Sequence, residues 1–315
     1  MPARVLKAGF LDTVQNKGSY GQQHLGINPG GAMDMLAMQA ANFLVGNDAN
    51  ANVLELHFPA ARLLFENAAL IALCGADFNA YINELPLPVN RACIIGPGTI
   101  VQFQNNKSGC RAYLAVQGGF FPADQEPGNR NTKYRQRLQD NDILYFKERS
   151  FREDQPVIFN WFANTTGWYR ETLQFIPGPE YDLLDEASKK KLVTDPFLIT
   201  SQSDRMGYRM KAEALHTIKA VTMLSSAVTR GTMQLLPNGQ LIILMAEHQT
   251  TGGYPRVGYI TSADLPSLSQ AQPGKTFRFV QTDVIAAQQK MLQLHRELRQ
   301  LQNACIFQLD AYLKK

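Results

Sequence analysis

The chain is poor in the patterns that announce the common chemistries. Its 315 residues hold only 4 cysteines, Cys74, Cys93, Cys110 and Cys305. None forms a Cys-x-x-Cys pair, and none stands at zinc-type spacing from a histidine. No metal ligand set is therefore expected. Cys74 and Cys93 lie in apolar runs, where a free thiol acts as a small hydrophobe. No apolar run nears the roughly 20 residues of a spanning helix. Met1-Pro2-Ala3-Arg4 precedes no long apolar stretch, so it does not read as a secretory leader. A soluble, cytoplasmic protein is the expectation. The net charge is +4, and the one tight basic run is Lys189-Lys190-Lys191. It sits beside Asp185 and Glu186 and reads as a solvated helix face, not a nucleic-acid stripe. The phosphate-binding Gly-x-x-x-x-Gly-Lys-Ser/Thr loop is absent. So are the Gly-x-Ser-x-Gly elbow and the His-Glu-x-x-His zinc motif. Lys211 follows Met210 without the Ala-Met-Lys-Met surround of a biotin carrier, so no attached biotin is expected.

What is present reads mostly as β. Leu70–Cys74, Ala80–Asn83, Ile94-Ile95, Ile100–Phe103 and Arg111–Val116 are short apolar runs broken by Gly, Pro and Asn, which predicts a barrel or sandwich. One early helix is predicted over Met35–Leu44, capped by Asp34, with Gly46 past its end. Prolines and a charged run between Phe121 and Gly167 suggest a loop and a boundary. Strands resume at Thr172–Ile176 and Phe197–Thr200, with a short helix between them over Tyr181–Leu192. Met233–Leu236 and Gln240–Met245 flank the hairpin signal Pro237-Asn238-Gly239. From Asp283 to Leu313 there is no Pro or Gly, and apolar residues recur every three or four positions. That predicts an amphipathic helix, packed on its own barrel or paired with another protein chain. The expected division is 1–150, 151–282 and a helical 283–315.

Three Gly-rich polar segments stand out between apolar runs, the setting in which loops often carry function. The first runs from Thr13 to Asp34 and contains His24 and Pro29-Gly30-Gly31. Its backbone amides before a helix start suit an anion, although Asp34 also reads as a plain N-cap and His24 as a structural histidine. The second is Ser201–Arg209, where Arg205 and Arg209 can grip an anion with paired donors. Ser203 and Asp204 add a hydroxyl and a possible base, and Asp204 paired to either arginine in a turn is the alternative. The third, Glu247–Pro255, can wrap an anion with amides and hydroxyls, or be a Gly-rich turn. Glu247 and His248 are neighbours on a strand, so their side chains point oppositely.

These motifs, in order, resemble one family. Thr13-Val14-Gln15, Gly31-Ala32-Met33-Asp34, Cys74–Phe78, Ser108–Val116, Ser203–Arg209, Gln249–Pro255 and Ser262–Pro266 are similar to allophanate hydrolase subunit 2, the biotin-dependent carboxyltransferase family. It includes the C subunit of 5-oxoprolinase and KipA. The match covers about residues 5 to 280. The resemblance implies a mainly β chain with two cyclophilin-like β-barrel domains and a C-terminal helix. It implies two partners, a B subunit of the KipI or allophanate hydrolase subunit 1 family and a lactamase-like A subunit. With ATP, bound with or by the partner, such a complex opens 5-oxoproline, a small amide, to glutamate. By motif match and anion chemistry, His24, Asp34, Ser203, Asp204 and Arg205 are the candidate catalytic residues. Gly30, Gly31, Arg209, Gln249, Thr250, Thr251, Gly252, Gly253 and Tyr254 are the candidate substrate or anion contacts. No nucleic acid or membrane partner is implied. Asn16, Ser19 and Gly30 stand where the family usually has Asp, Arg and Ser. Of its middle Gly-Ser-Arg segment only Gly128-Asn129-Arg130-Asn131-Thr132 is left. These departures keep two alternatives open. One is a carboxyltransferase or allophanate-hydrolase type of chain acting on a urea-like amide. The other is a non-catalytic KipA-like partner that sequesters the B subunit.

Overall fold

The structure, a computed structural model, describes residues 1–122, 137–147, 151, 155–219 and 223–313. Gly128–Thr132 and most of the charged run ending at Asp154 lie outside the described residues. Contacts divide the chain into two units. One comprises Met1–Lys17, Asp34–Thr166 and Arg296–Lys315; the other comprises Gly18–Met33 and Gly167–His295. Residues 18–33 thus go with the second unit although they lie near the start of the chain. Both units are mainly β, as expected, and no described helix is long and apolar enough to cross a membrane.

The first unit is built on a seven-stranded and a six-stranded sheet. In the six-stranded sheet, Ser108–Val116 pairs antiparallel with Ala69–Asp77 and with Val53–Leu56. These central strands are buried almost throughout, which is why they read as continuous apolar runs, not alternating ones. Helix α1 spans Met35–Leu44, as its sequence predicts. Asp34 accepts from the backbone N–H groups of Leu36 and Ala37 at 3.0 and 3.1 Å. These are two of the donors that every helix start leaves unpaired. Gly46, at φ 74°, follows its end. A buried polar network runs beside this cap. Tyr113 donates to Glu55 Oε2 at 2.8 Å and accepts from Asp34 N at 2.7 Å. Arg111 Nε lies 3.8 Å from Glu55 Oε1. Burial, then the charges of Glu55 and Asp34, holds Tyr113 as a neutral phenol.

The second unit closes a seven-stranded barrel. Its order is Thr172–Pro177, Arg256–Ile260, Thr232–Leu235, Leu241–Leu244, Gly207–Lys211, Phe197–Ile199 and Thr276–Gln281. The Pro-Asn-Gly signal is the turn of the Thr232–Leu235 and Leu241–Leu244 hairpin. First and last strands pair in parallel, Thr172 with Arg278, and seal the barrel. Phe175, Phe197, Met233, Leu241, Ile243, Phe277 and Phe279 fill it. The helix expected over Tyr181–Leu192 is a 3-10 turn, Tyr181–Leu183, and then helix α2, Glu186–Thr194. Asp185 breaks the run because its carboxylate caps α2 by accepting from Ser188 N at 2.7 Å. A short α3, Leu265–Ser269, starts at the end of the Ser262–Pro266 motif.

The C-terminal helix, α4, spans Val284–Leu313. Within the second unit, Lys290 Nζ donates to Asp264 Oδ1 at 2.7 Å and to Gln174 Oε1 at 2.9 Å. Within the first, the Tyr312 ring packs 4.8 Å from that of Phe159.

Candidate functional site

Parts of all three Gly-rich segments converge within the second unit, on Arg205. Its side chain is nearly buried, and Nε donates to Glu247 Oε1 at 2.8 Å. An outer guanidinium nitrogen donates to the Gly31 carbonyl, also at 2.8 Å. Asn28 Nδ2 reaches the Glu247 carbonyl at 3.4 Å. The backbone adds a ladder step, Glu247 N to Arg205 O at 2.8 Å. One arginine therefore ties residues 28–31 to the Glu247–Pro255 loop, and both of its side-chain bonds are charge-assisted.

A second arginine completes the anchoring. Arg230 donates to the Ala32 carbonyl at 3.1 Å and to the Met33 carbonyl. Ser269 also donates to Met33 O. Gly30 and Gly31 take φ values of 60° and 88°, a region open to glycine at little cost. Three successive carbonyls, 31 to 33, face cationic or hydroxyl donors. In planar trans peptides that turns the Ala32 and Met33 amides to the other side. Neither Arg230 nor Ser269 carries a motif that sequence reasoning could weigh.

The other candidates occupy varied surroundings. Asp204 Oδ1 accepts from Met206 N at 2.8 Å and Gly207 N at 3.1 Å, and Ser203 Oγ accepts from Arg209 N at 3.0 Å. Both side chains thus fix the turn that presents Arg205. Arg209 is exposed, on the face of its strand opposite to the buried Tyr208 and Met210. His24 is exposed on the 3-10 turn Gln23–Leu25. Asp34 falls in the first unit, where it caps α1. Gln249, Thr251, Gly253 and Tyr254 are exposed; Thr250 is half-buried, and its carbonyl accepts from Val228 N at 3.2 Å. Gly252 is buried and pairs with Ser226. His248 is buried, with Nδ1 2.5 Å from the Gln249 carbonyl. Burial, aided by the Arg230 charge, holds its pKa below the usual imidazole value. Among the described residues no cluster of His, Cys, Asp or Glu could hold a metal ion.

The second unit is thus a closed barrel whose Gly-rich segments are tied together by the buried Arg205 and the half-buried Arg230. The chain belongs to the carboxyltransferase domain family, subdomains A and B, which matches residues 25–281. It is 34% identical over 310 residues to the C subunit of 5-oxoprolinase from Escherichia coli, covering 95% of this chain and 97% of that one. It is 30% identical over 269 residues to the C subunit of 5-oxoprolinase from Haemophilus influenzae, covering 85% and 87%. In fold it is similar to the urea amidolyase of K. lactis, with a TM-score of 0.85 at 22% identity, over 95% of this chain and 20% of that one.

Proposed function

We propose that the chain is the C subunit of an ATP-dependent 5-oxoprolinase, which opens a lactam to glutamate together with its A and B subunits. The observation that carries this reading is the end-to-end similarity to the E. coli protein, 34% identical over 97% of that chain. The convergence of Gly31, Arg205 and Glu247 supports a site at these motifs. ATP fits the partner better than this chain. The buried arginine of the Ser203–Arg209 motif is already committed to Glu247 and to the Gly31 carbonyl, and the sequence has no phosphate loop. This chain's share is to hold the amide and shield it from water, carrying no biotin.

The test is co-purification with the neighbouring B-family protein, then glutamate release from 5-oxoproline and ATP, with and without the A subunit. Release that depends on this chain is expected. Arg205→Ala should abolish it while the complex stays intact, because the loop at Gly31 loses its anchor. Full activity of that variant would overturn the site.

A second reading, a non-catalytic partner of the B subunit, draws on Asn16. This residue replaces the family's usual Asp and donates its amide to Asn52 Oδ1 at 3.0 Å, a bond that a carboxylate could not donate. A stable complex that never opens a lactam would select this reading. Turnover of urea in the same assay would select the urea-type one.

A further inference from the structure

Strand Thr232–Leu235 is buried on both faces. Side chains alternate along a strand, and Met233 and Leu235 point into the barrel core. Thr232 and Gln234 lie on the opposite face, yet both are 0% exposed. The cover over Gln234 is the short antiparallel pair of Ser226–Ala227 with Thr251–Gly252. A Cβ placed on Gly252 would stand 2.4 Å from Gln234 Nε2 and 3.4 Å from Val228 Cγ1. Residue 252 must therefore lack a side chain for the Gln234 amide to sit where it does.

The two polar residues of this face are treated differently. Thr232 Oγ1 donates to Thr229 O at 2.7 Å and accepts from Thr229 N at 3.1 Å. Gln234 Nε2 is buried with no hydrogen-bond partner, and its Oε1 meets Gln249 Nε2 only at 3.5 Å, the outer limit of such a bond. Ser226 Oγ is also buried without a partner. Ser226 stands directly opposite Gly252. Opposed residues of an antiparallel pair project to one face, about 5 Å apart. The Ser226 hydroxyl therefore emerges beside the position where a Gly252 side chain would be, next to the Gln234 amide. Unpaired buried donors are rare because each has forfeited its bonds to water. Two of them on one face, beneath the Gln249–Tyr254 motif, point to a ligand that completes them.

We propose that Gln234 and Ser226 form the amide-reading subsite of this chain. Gln234 Nε2 donates to the carbonyl oxygen of a small amide, and Ser226 Oγ accepts from its N–H. The inference rests on the reading of the chain as part of an enzyme that handles a small amide, and it names the residues that select one. Both groups are neutral, so the subsite prefers a planar, uncharged group carrying an acceptor beside a donor, as a lactam or urea does, over a bare anion. They are specificity residues and take no part in bond making. The cover is two residues per strand, with Thr251, Gly253 and Ala227 exposed at its outside. No ligand fits on Gln234 while this pair is seated, so the proposal requires the two short strands to lift when the amide binds.

The experiment is calorimetric binding to the full chain, alone and with its B-family partner. The probes are 5-oxoproline, urea and the lactone analogue of 5-oxoproline, which keeps the carbonyl and lacks the N–H. The unaltered chain should bind 5-oxoproline at least about tenfold more tightly than the lactone. Gln234→Met should weaken both by about tenfold or more. Ser226→Ala should weaken 5-oxoproline alone. Neither variant should lower the melting temperature, since each replaces an unpaired polar group by an apolar one. Should Gln234→Met not fold, Gln234→Leu, also apolar and without a donor, carries the same expectation. Binding unchanged in both variants would overturn this inference while leaving the functional reading standing. Failure of the unaltered chain to bind either 5-oxoproline or urea, in both states, would remove the functional reading and this one with it.

Discussion

Two carboxylates of the first unit, Glu55 and Asp12, and two of the second, Glu180 and Glu247, are held in different ways. In the first, carboxylates are enclosed and meet mainly neutral donors. Glu55 takes the Tyr113 hydroxyl, and Asp12 takes the backbone N–H groups of His57 and Ala61 at 2.7 and 2.6 Å. In the second, Glu180 and Glu247 sit nearer the surface and face arginines at bonding distance. Glu180 is gripped by Arg256 through two bonds of 2.8 and 2.9 Å, and Glu247 by Arg205. Desolvation penalises charge wherever it is buried, and a nearby cation offsets that penalty. Asp12 thus fixes the chain inside a core, while Glu180 and Glu247 orient arginines. Depth decides the protonation state at Asp12, where burial outweighs its amide partners, and the arginine partner decides it at Glu180.

The largest effect expected from this contrast is at Glu55. Glu55→Leu would strand the Arg111 guanidinium and the Tyr113 hydroxyl, and removing one side of such a buried pair costs about 3–5 kcal/mol. Urea unfolding measures it; a loss below about 1 kcal/mol would mean the network is not the anchor described.

Next comes the pH response of the first unit. Burial raises Asp12 from 3.8 to about 7, against the pull of the His57 and Ala61 amides. The folded form then holds a proton that the unfolded form has released. The stability this confers is full below 3.8 and is lost as pH rises from there through about 7. Stability of the parent should decline between about pH 4 and 7, by on the order of 4 kcal/mol, relative to Asp12→Asn. Parallel melting curves for the two proteins across that range would refute the assignment.

The smallest effect has the opposite sign and belongs to the second unit. The Arg256 bonds lower the Glu180 pKa below its ordinary value of 4.5. That contribution is full above the ordinary value and is lost as pH falls through the lowered one. Glu180→Gln should cost about 1 kcal/mol at neutral pH, and the gap to the parent should close in strong acid. A gap that persists there would point to packing instead of charge.

Local signals were legible where the local code decides. Helix α1 follows from an N-cap, an apolar run and a trailing glycine, and α4 from an uninterrupted amphipathic period. The hairpin at Asn238-Gly239 follows from turn chemistry. The short α3 was not legible, because five residues show no period. The assignment of Gly18–Met33 to the second unit was equally hidden, since it rests on Arg205 and Arg230, both remote in sequence, and no local pattern tells which carbonyls they reach. Gln234 escaped for a related reason. On a half-exposed strand a polar residue at that position signals solvent, and only the cover from Ser226 and Gly252 makes it a buried donor.

The seam of the barrel carries one further consequence. Thr172–Pro177 finds its parallel neighbour in Thr276–Gln281, at the far end of the unit. Contacts this distant in sequence close late, because a long loop must be ordered before they form. During synthesis the Gly18–Met33 segment is made before Arg205 and Arg230 exist to hold it, and the barrel stays open until Gln281 has left the ribosome. The glycine turn at the centre of the candidate site is made well before its anchors, which are completed only when much of the second unit has followed.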